Sequence, residues 1–420
     1  MQATPGKGWP MQDRELYRQL LGLMGPWRVS EVAIDFEGRK VDVWVEWPPE
    51  KEALCPECGK AYGVYDHREE RQWRHLDTMQ FQTILHCRIP RIKCTEHGVK
   101  SIDVPWSEKN SRFTALFERL AIDVLRGCQN QTKAKELLKL SWDEVHLIME
   151  KAVARGLQRR SDTGLKHIGV DEKSFLKRHR YATILSDLDQ SRVLDVARDR
   201  KEESLAELFR RIPEEQRQGI AAVAMDMWGP YINAVEELLP EADIVHDKFH
   251  IAKYLGEAVD KVRKSEHRGL RKEGSESLTG TKYLWLTNPR NWSDEQKQQF
   301  KELKGKGLKV GRAWAIKEMF SDLWDYTYEK AARNFFTKWF WWATHARLKP
   351  IAEVAKKLQR HLNNILTYLK HRITNAVAEG INSKIQQVKS AARGFRNFEN
   401  YRIAILFFCG KLDMYPQKSQ

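Results

Sequence analysis

The chain has 420 residues, in which 72 Lys and Arg outnumber 57 Asp and Glu, giving a formal charge of +15. A chain of this length is expected to form about two to four domains, and its basic surplus favours a polyanionic partner, because phosphate contacts and counterion release dominate nucleic-acid affinity. Six cysteines, four in the first hundred residues, do not make a secreted disulfide framework. The opening MQATPGKGWPMQDREL lacks the apolar core of a signal peptide, and no run reaches the ~18 apolar residues of a membrane span. A soluble, reducing compartment is expected, with no membrane partner.

Residues 1–106 read as a strand-rich, zinc-binding module. VSEVAIDF and KVDVWVEW flank Glu37-Gly38-Arg39 and predict an antiparallel hairpin. Cys55 and Cys58 then form a C-x-x-C knuckle, and Cys94 and His97 a C-x-x-H knuckle, each followed by glycine. Those four ligands suit one tetrahedral Zn²⁺, and the glycines let the backbone turn around it. Cys87 and His86 compete for that role. Cys87 shares strand parity with Phe81, Leu85 and Ile89, which makes it a core cysteine, whereas His86 faces the other way without a partner at knuckle spacing.

Residues 107–163 predict a helix-turn-helix. RFTALFERLAIDVLRG is helical up to Gly127, and TKAKELLKLSWDEVHLIMEKAV gives two helices broken at Lys139-Leu140-Ser141. Ser141 with Glu144 makes a capping box for the second. Ala134, Leu137, Leu138, Leu140, Val145, Ile148 and Met149 would form its small core. The second helix would enter a major groove, with Trp142 and His146 facing DNA and Lys133, Lys135 and Lys139 on phosphates. An ordinary αα-hairpin would show the same pattern.

Residues 164–250 alternate strands and helices. HIGVD, YATILSDL and RVLDVARD read as a meander, followed by the helix KEESLAELFRRI, the strand IAAVAMD, the helix GPYINAVEELL and the strand ADIVHD. That is the element order of a ribonuclease H-like core, in which the first and fourth strands lie side by side. Asp171 closes HIGVD and Asp226 closes IAAVAMD, so adjacency would bring two carboxylates together. Such a pair repels unless a cation lies between them.

Residues 251–365 are helical and aromatic, with seven of the fifteen tryptophans between 285 and 342. This stretch reads as a helical insertion. Its tryptophans either pack a core or offer a platform on which a DNA end stacks. Residues 366–420 would close the core with a helix around Ile373–Val388 and end in a tail. Ile373, Val377, Ile381, Ile385 and Val388 form one face of that helix; Asn375, Glu379, Asn382 and Gln386 form the other. Periodicity alone leaves Glu379 open between a solvated residue and a third carboxylate. Asn375 and Asn382 suit hydrogen bonding to DNA, and Lys389, Arg393 and Arg396 suit a phosphate backbone. The fold class is thus multidomain α+β and α/β, with a zinc-binding β module, a helix-turn-helix and a ribonuclease H-like catalytic core interrupted by a helical insertion. Three carboxylates so placed can hold two divalent ions flanking an in-line attack on a phosphodiester.

GVDEKSFLKRHRYATI, AVAMDMWGPYINAV, ADIVHDKFHIAKYLGEAVDKVRKSEHR and TNAVAEGINSKIQQVKSAARGFRNFENYRI resemble signatures of bacterial insertion-sequence transposases of the ISL-three family. The resemblance covers nearly the whole chain. It implies that Asp171, Asp226 and Glu379 are a DDE triad holding two Mg²⁺ or Mn²⁺ ions, and that Cys55, Cys58, Cys94 and His97 are a structural zinc site. It further implies cut-and-paste transposition of double-stranded DNA, from terminal inverted repeats to a target, by a dimer or larger assembly in the bacterial cytoplasm, at the nucleoid. Asp247 and His250 resemble a D-x-x-H motif found after the second Asp in several transposase superfamilies, at the periphery of the active site; a plain strand end would look the same. Two other readings stay open: a structure-specific nuclease on this fold, and a DNA-binding regulator with a degenerate catalytic domain.

Overall fold

The computed structural model describes residues 13–161, 164–176, 180–373 and 376–417. They fall into two units, one running to Arg160 and taking back the chain's end from Leu412, the other spanning Ser161–Lys411.

In the first unit, α1 (Asp13–Leu20) precedes β1 (Arg28–Asp35) and β2 (Lys40–Glu46), which pair antiparallel from Asp35–Lys40 to Arg28–Glu46 as the hairpin pattern predicts. The short β3 (Ala53–Leu54) and β4 (Ala61–Tyr62) form a ribbon of their own, followed by β5 (Val64–Arg74), β6 (Gln82–Cys94) and β7 (Gly98–Ser101). The sheet order is β1-β2-β6-β5, with β7 also on β6. Alternation decides what the sheet buries: Val41, Val43 and Val45 from β2 and Leu85, Cys87 and Ile89 from β6 enter one core with Trp73. Cys87 is therefore a core cysteine, and burial pushes its thiol up to about 12. His86, of opposite parity, lies between Asp42 (2.8 Å) and Glu70 (3.0 Å) and stacks on Trp44.

The helices α2 (Ala115–Cys128), α3 (Gln131–Leu138) and α4 (Trp142–Arg159) complete this unit. Lys139 breaks the chain in the left-handed region (φ 55°), and Ser141 and Glu144 form the expected capping box on α4. Ala134, Leu138, Leu140, Val145, Ile148 and Met149 are buried, but Leu137 is 67% exposed. The buried pair on α3 is Ala134 and Leu138, four apart on one face, and Leu137 falls beside that face. The β module and the helices are joined tightly. Arg74 N–H donates to the Arg112 carbonyl, and His75 meets Thr114, whose hydroxyl caps α2. Arg155 forms a buried ion pair with Glu118 and donates to the Met414 carbonyl at 2.6 Å, so the end of the chain belongs here rather than with the closing helix.

The second unit begins with β8 (His167–Leu176), β9 (Arg180–Asp187) and β10 (Arg192–Arg198), an antiparallel meander. Then come α5 (Glu202–Arg210), the short α6 (Glu214–Arg217), β11 (Ala222–Met225), α7 (Gly229–Leu238) and β12 (Asp243–His246). The sheet order is β10-β9-β8-β11-β12, with β11 parallel to both β8 and β12. The first and fourth strands are neighbours, as the element order predicts. Ile168, Val170, Val223 and Met225 pack against α5 and α7 through Leu205, Phe209, Ala234 and Val235.

Eight helices follow: α8 (Lys248–Lys272), α9 (Lys282–Leu286), α10 (Asp294–Lys304), α11 (Lys309–Phe320), α12 (Glu329–His345), α13 (Lys349–Arg360), α14 (Leu362–Leu366) and α15 (Tyr368–His371). They share a large apolar core in which Trp285 and Trp339 are fully buried. Packing is what most of these tryptophans do; Trp341, at 62% exposed, is the exception. The chain closes with α16 (Ala376–Ala391), whose Ile381, Ile385 and Val388 are buried, and α17 (Phe398–Cys409). The segment expected to be a tail is thus largely a buried helix, anchored to β10 by Arg402 on Asp195 at 2.6 Å. No described helix is long and apolar enough to cross a membrane.

Candidate active site

The parallel register of β8 and β11 ends at Gly169 opposite Ala224. Two residues further along each strand stand Asp171 and Asp226, so the ladder delivers the two carboxylates side by side. β8 itself does not stop at Asp171, as HIGVD suggests, but runs on to Leu176, because β9 continues to pair with it. Strand parity puts Asp171 on the side of Gly169 and Asp226 on the side of Ala224. That side faces α16, where Ala224 packs with Leu188 and Ala378. A Cβ at Gly169 would lie 2.8 Å from side-chain atoms of both Leu188 and Ser186, which would have to shift to admit it.

Both carboxylates are half-buried and line one cavity of about 300 Å³ with Glu172, Arg200, His250 and Lys357. Each Asp accepts a bond from the next backbone N–H, Asp171 from Glu172 at 2.7 Å and Asp226 from Met227 at 2.6 Å. From α8, the Tyr254 hydroxyl donates to both oxygens of Asp226 at 3.0 and 2.7 Å, and His250 Nδ1 lies 3.5 Å from it. Burial, then the bond to Asp226, raises the Tyr254 phenol, which keeps it a donor. The Lys357 ammonium sits 3.7 Å above the Tyr254 ring, and burial lowers its pKa. Asp247 is the N-cap of α8, accepting from Phe249 N–H at 3.0 Å, and approaches His250 at 3.8 Å. On α16, Asn382 donates to Asp171. Glu379 is exposed, one turn before Asn382 on the same face of the helix, and is not among the residues lining the cavity. Paired hard oxygen donors beside cationic side chains suit a divalent ion and the phosphates it would meet.

The other expected DNA contacts divide. Lys133, Lys139 and Trp142 are exposed; Lys135 and His146 are half-buried. Lys389 donates to the Ser174 carbonyl at 2.5 Å, an internal contact, while Arg393 and Arg396 are exposed. Asn375 lies outside the described residues.

The four knuckle ligands converge. All their donor atoms lie within 4.8 Å of one another, with Cys58 Sγ 3.7 Å from Cys94 Sγ and His97 Nδ1 3.5 Å from Cys94 Sγ. Thiolates about 2.3 Å from a tetrahedral Zn²⁺ would stand about 3.8 Å apart, so the set fits that ion. Gly59 and Gly98 turn with φ of +70° and +69°. The Tyr62 hydroxyl, 3.4 Å away, is the main cause that lowers the Cys94 thiol to about 6. Glu57 lies 3.5 Å from His97 Nε2, the outer partner a ligating imidazole commonly has.

A family model described as a transposase, of the ISL3 family, matches residues 168–405. The chain belongs to the ISL3 transposase family. The helix-turn-helix model of the same family matches residues 102–153, and a zinc-finger model of transposases IS204/IS1001/IS1096/IS1165 matches residues 51–97. Curated relatives agree along almost the full chain. The transposase for insertion sequence element IS1001 of Bordetella parapertussis is 27% identical, covering 94% of this chain and 98% of the relative. The transposase for IS1557 of Mycobacterium tuberculosis is 25% identical, covering 92% and 93%. ISL3 transposases are DNA-cleaving and strand-transferring enzymes, and the ribbon match with the four-ligand cluster supports a structural zinc. Sequence reading of this ISL3 member missed Tyr254, Lys357 and Arg200. His250 and Tyr254 stand four apart on α8, a spacing visible in the sequence, but nothing local says that this face meets Asp226.

Proposed function

We propose that this chain is a DDE transposase that binds the terminal inverted repeats of its insertion sequence and catalyses their cleavage and strand transfer, with Asp171, Asp226 and Glu379 as the metal-holding triad. One observation carries the reading: the β8–β11 register that sets Asp226 beside Asp171, with Asn382 of α16 reaching the same carboxylate. On this reading the second unit is a ribonuclease H-like core interrupted by a helical insertion between β12 and α16. Its domains, read from the sequence as 164–250, 251–365 and 366–420, give up the end from Leu412 to the first unit; a zinc module at 1–106 and a helix-turn-helix at 107–163 precede them.

Two Mg²⁺ or Mn²⁺ ions, when bound, would polarise the scissile phosphodiester and stabilise the leaving oxygen. The chain supplies the rest. Backbone N–H groups orient Asp171 and Asp226, with Asn382 adding a bond to Asp171 and Tyr254 one to Asp226. His250 stands next to Asp226 at the edge of the site. Lys253, Lys357 and Arg200 offer positive charge to DNA phosphates along the cavity. The zinc module and the helix-turn-helix bind the ends through Lys133, Lys135, Lys139, Trp142 and His146, while Asn375, Asn382, Lys389, Arg393 and Arg396 contact DNA at the core. A dimer or larger assembly would match the paired ends, in the bacterial cytoplasm.

The test is a denaturing gel of labelled DNA carrying the element's own ends, with Mg²⁺ or EDTA. Metal-dependent nicking at the boundary with joined products is expected. Asp226→Ala should abolish both while leaving end binding within about twofold. Robust cutting by that variant would sink the triad. Binding without cutting under any divalent ion would favour a regulator, and cutting that ignores the ends would favour a structure-specific nuclease.

A further inference from the structure

A second cavity of about 350 Å³ lies among the helices of the same unit and shares no lining residue with the carboxylate cavity. Its walls are mostly apolar and include the rings of Trp285, Phe300 and Trp314. Lys304, at the end of α10, and Arg312, on the first turn of α11, complete the lining. Both are exposed, and neither has an acidic partner among the described residues. The loop between them adds Lys306 and turns at Gly307, with φ of +64°. The size matches sites that take small organic groups.

The indoles of this unit are partnered unevenly. Trp285 Nε1 donates to Thr281 at 3.2 Å, and Trp339 Nε1 to the Ile316 carbonyl at 2.8 Å. Trp314 lines the cavity and Trp292 stacks on it, with centroids 5.7 Å apart and planes at 25°. Their Nε1 groups are buried, and neither finds an acceptor among the described residues. Aromatic faces beside unpaired cations suit a planar ring with a nearby negative charge.

We propose that this cavity takes an unpaired nucleobase of the DNA substrate, stacked on the aromatic wall, with its phosphate on Lys304 and Arg312. Stacking on aromatic side chains tolerates any base, since each has a π-face. The site would therefore hold a nucleotide out of the duplex without reading its identity. The inference rests on DNA being the substrate, as proposed above, but not on the triad.

The experiment uses the full chain in EDTA, so that nothing is cut. It compares a blunt duplex with the same duplex bearing a short 3′ overhang of 2-aminopurine. The overhang should bind about tenfold tighter, the order expected for one stacked base, with its fluorescence quenched. Trp314→Ala should remove both effects and Trp314→Phe should keep most of the preference, with blunt-duplex affinity unchanged in each. If Trp314→Ala lowers the melting temperature, the exposed pair Lys304→Ala and Arg312→Ala gives the same reading: loss of the overhang preference alone. Equal affinity for both duplexes, or a preference and quench that survive in these variants, would overturn the cavity assignment and leave the transposase reading intact. Quenching by free 2-aminopurine nucleotide at the overhang's own affinity would make it a mononucleotide site instead. Binding of neither duplex would overturn the DNA reading and this inference with it.

Discussion

Tyr254 lays one hydroxyl across both oxygens of Asp226, and Lys357 covers its ring. A carboxylate bound this way cannot rotate freely, and its remaining lone pairs keep a fixed direction. Partners of this kind orient metal-binding groups, and their loss commonly costs about 10–100-fold in metal affinity or activity. Tyr254→Phe removes the hydroxyl and keeps the ring under Lys357. The Mn²⁺ concentration needed for half-maximal cleavage should then rise about tenfold or more, while end binding in EDTA stays as it was. A metal titration that overlays that of the parent protein would show that the hydroxyl does nothing for Asp226. His250, at 3.5 Å, is a weaker partner, and its removal should shift the titration less.

At the level of elements, the zinc knuckles are where the metal should matter most. β3 and β4 have two residues each and make a separate ribbon, too short to be stable by itself. The cluster of Cys55, Cys58, Cys94 and His97 ties it to the end of β6, beside the Lys60–Glu96 ion pair and the Tyr62–Thr95 hydrogen bond. Stripping zinc with a strong chelator should therefore open the segment around residues 48–62 to protease, while the β1-β2-β6-β5 sheet, with its own core of Trp73, Val43 and Leu85, stays protected. Protection unchanged by chelation would mean that the knuckles hold without metal. These knuckles were legible in the sequence because spacing and the following glycines are local. So were the hairpin, the capping box on α4 and the order of strands that makes β8 and β11 neighbours. What local pattern hid was of two kinds. The helix α17 is apolar on nearly all sides, with Tyr401, Ile403, Ala404, Ile405, Leu406 and Phe407 all buried, so it shows no amphipathic stripe and passes for a tail. The extension of β8 past Asp171 depends on a partner strand, and the meeting of Tyr254 with Asp226 depends on how α8 packs. Neither fact is written in the residues next to those positions.

Over the whole molecule, a charge of +15 says that DNA will attract the chain, but not how many phosphates it touches. Salt dependence counts the contacts: each neutralised phosphate makes log K fall with log salt by about 0.9. The helix α4 begins with Asp143 and Glu144 and carries Glu150, so its own charges oppose phosphate. The cations that could offset them are on α3 and the turn after it. They are not equivalent. Lys133 is exposed with no acidic partner among the described residues, whereas Lys139 reaches the Gln80 carbonyl at 3.4 Å and Asp77 at 3.6 Å. Part of the Lys139 charge is already engaged within the chain. Lys133→Ala should therefore flatten the salt slope of end binding by about one unit, and Lys139→Ala by clearly less. Trp142→Ala, which removes a 48% exposed ring and no charge, should weaken binding to the element's ends while leaving the slope alone. Affinity measured between about 50 and 200 mM salt, the range over which such contacts separate, checks all three together. A slope that none of the lysine changes alters would put the phosphate contacts on another face and remove α3 from the DNA interface.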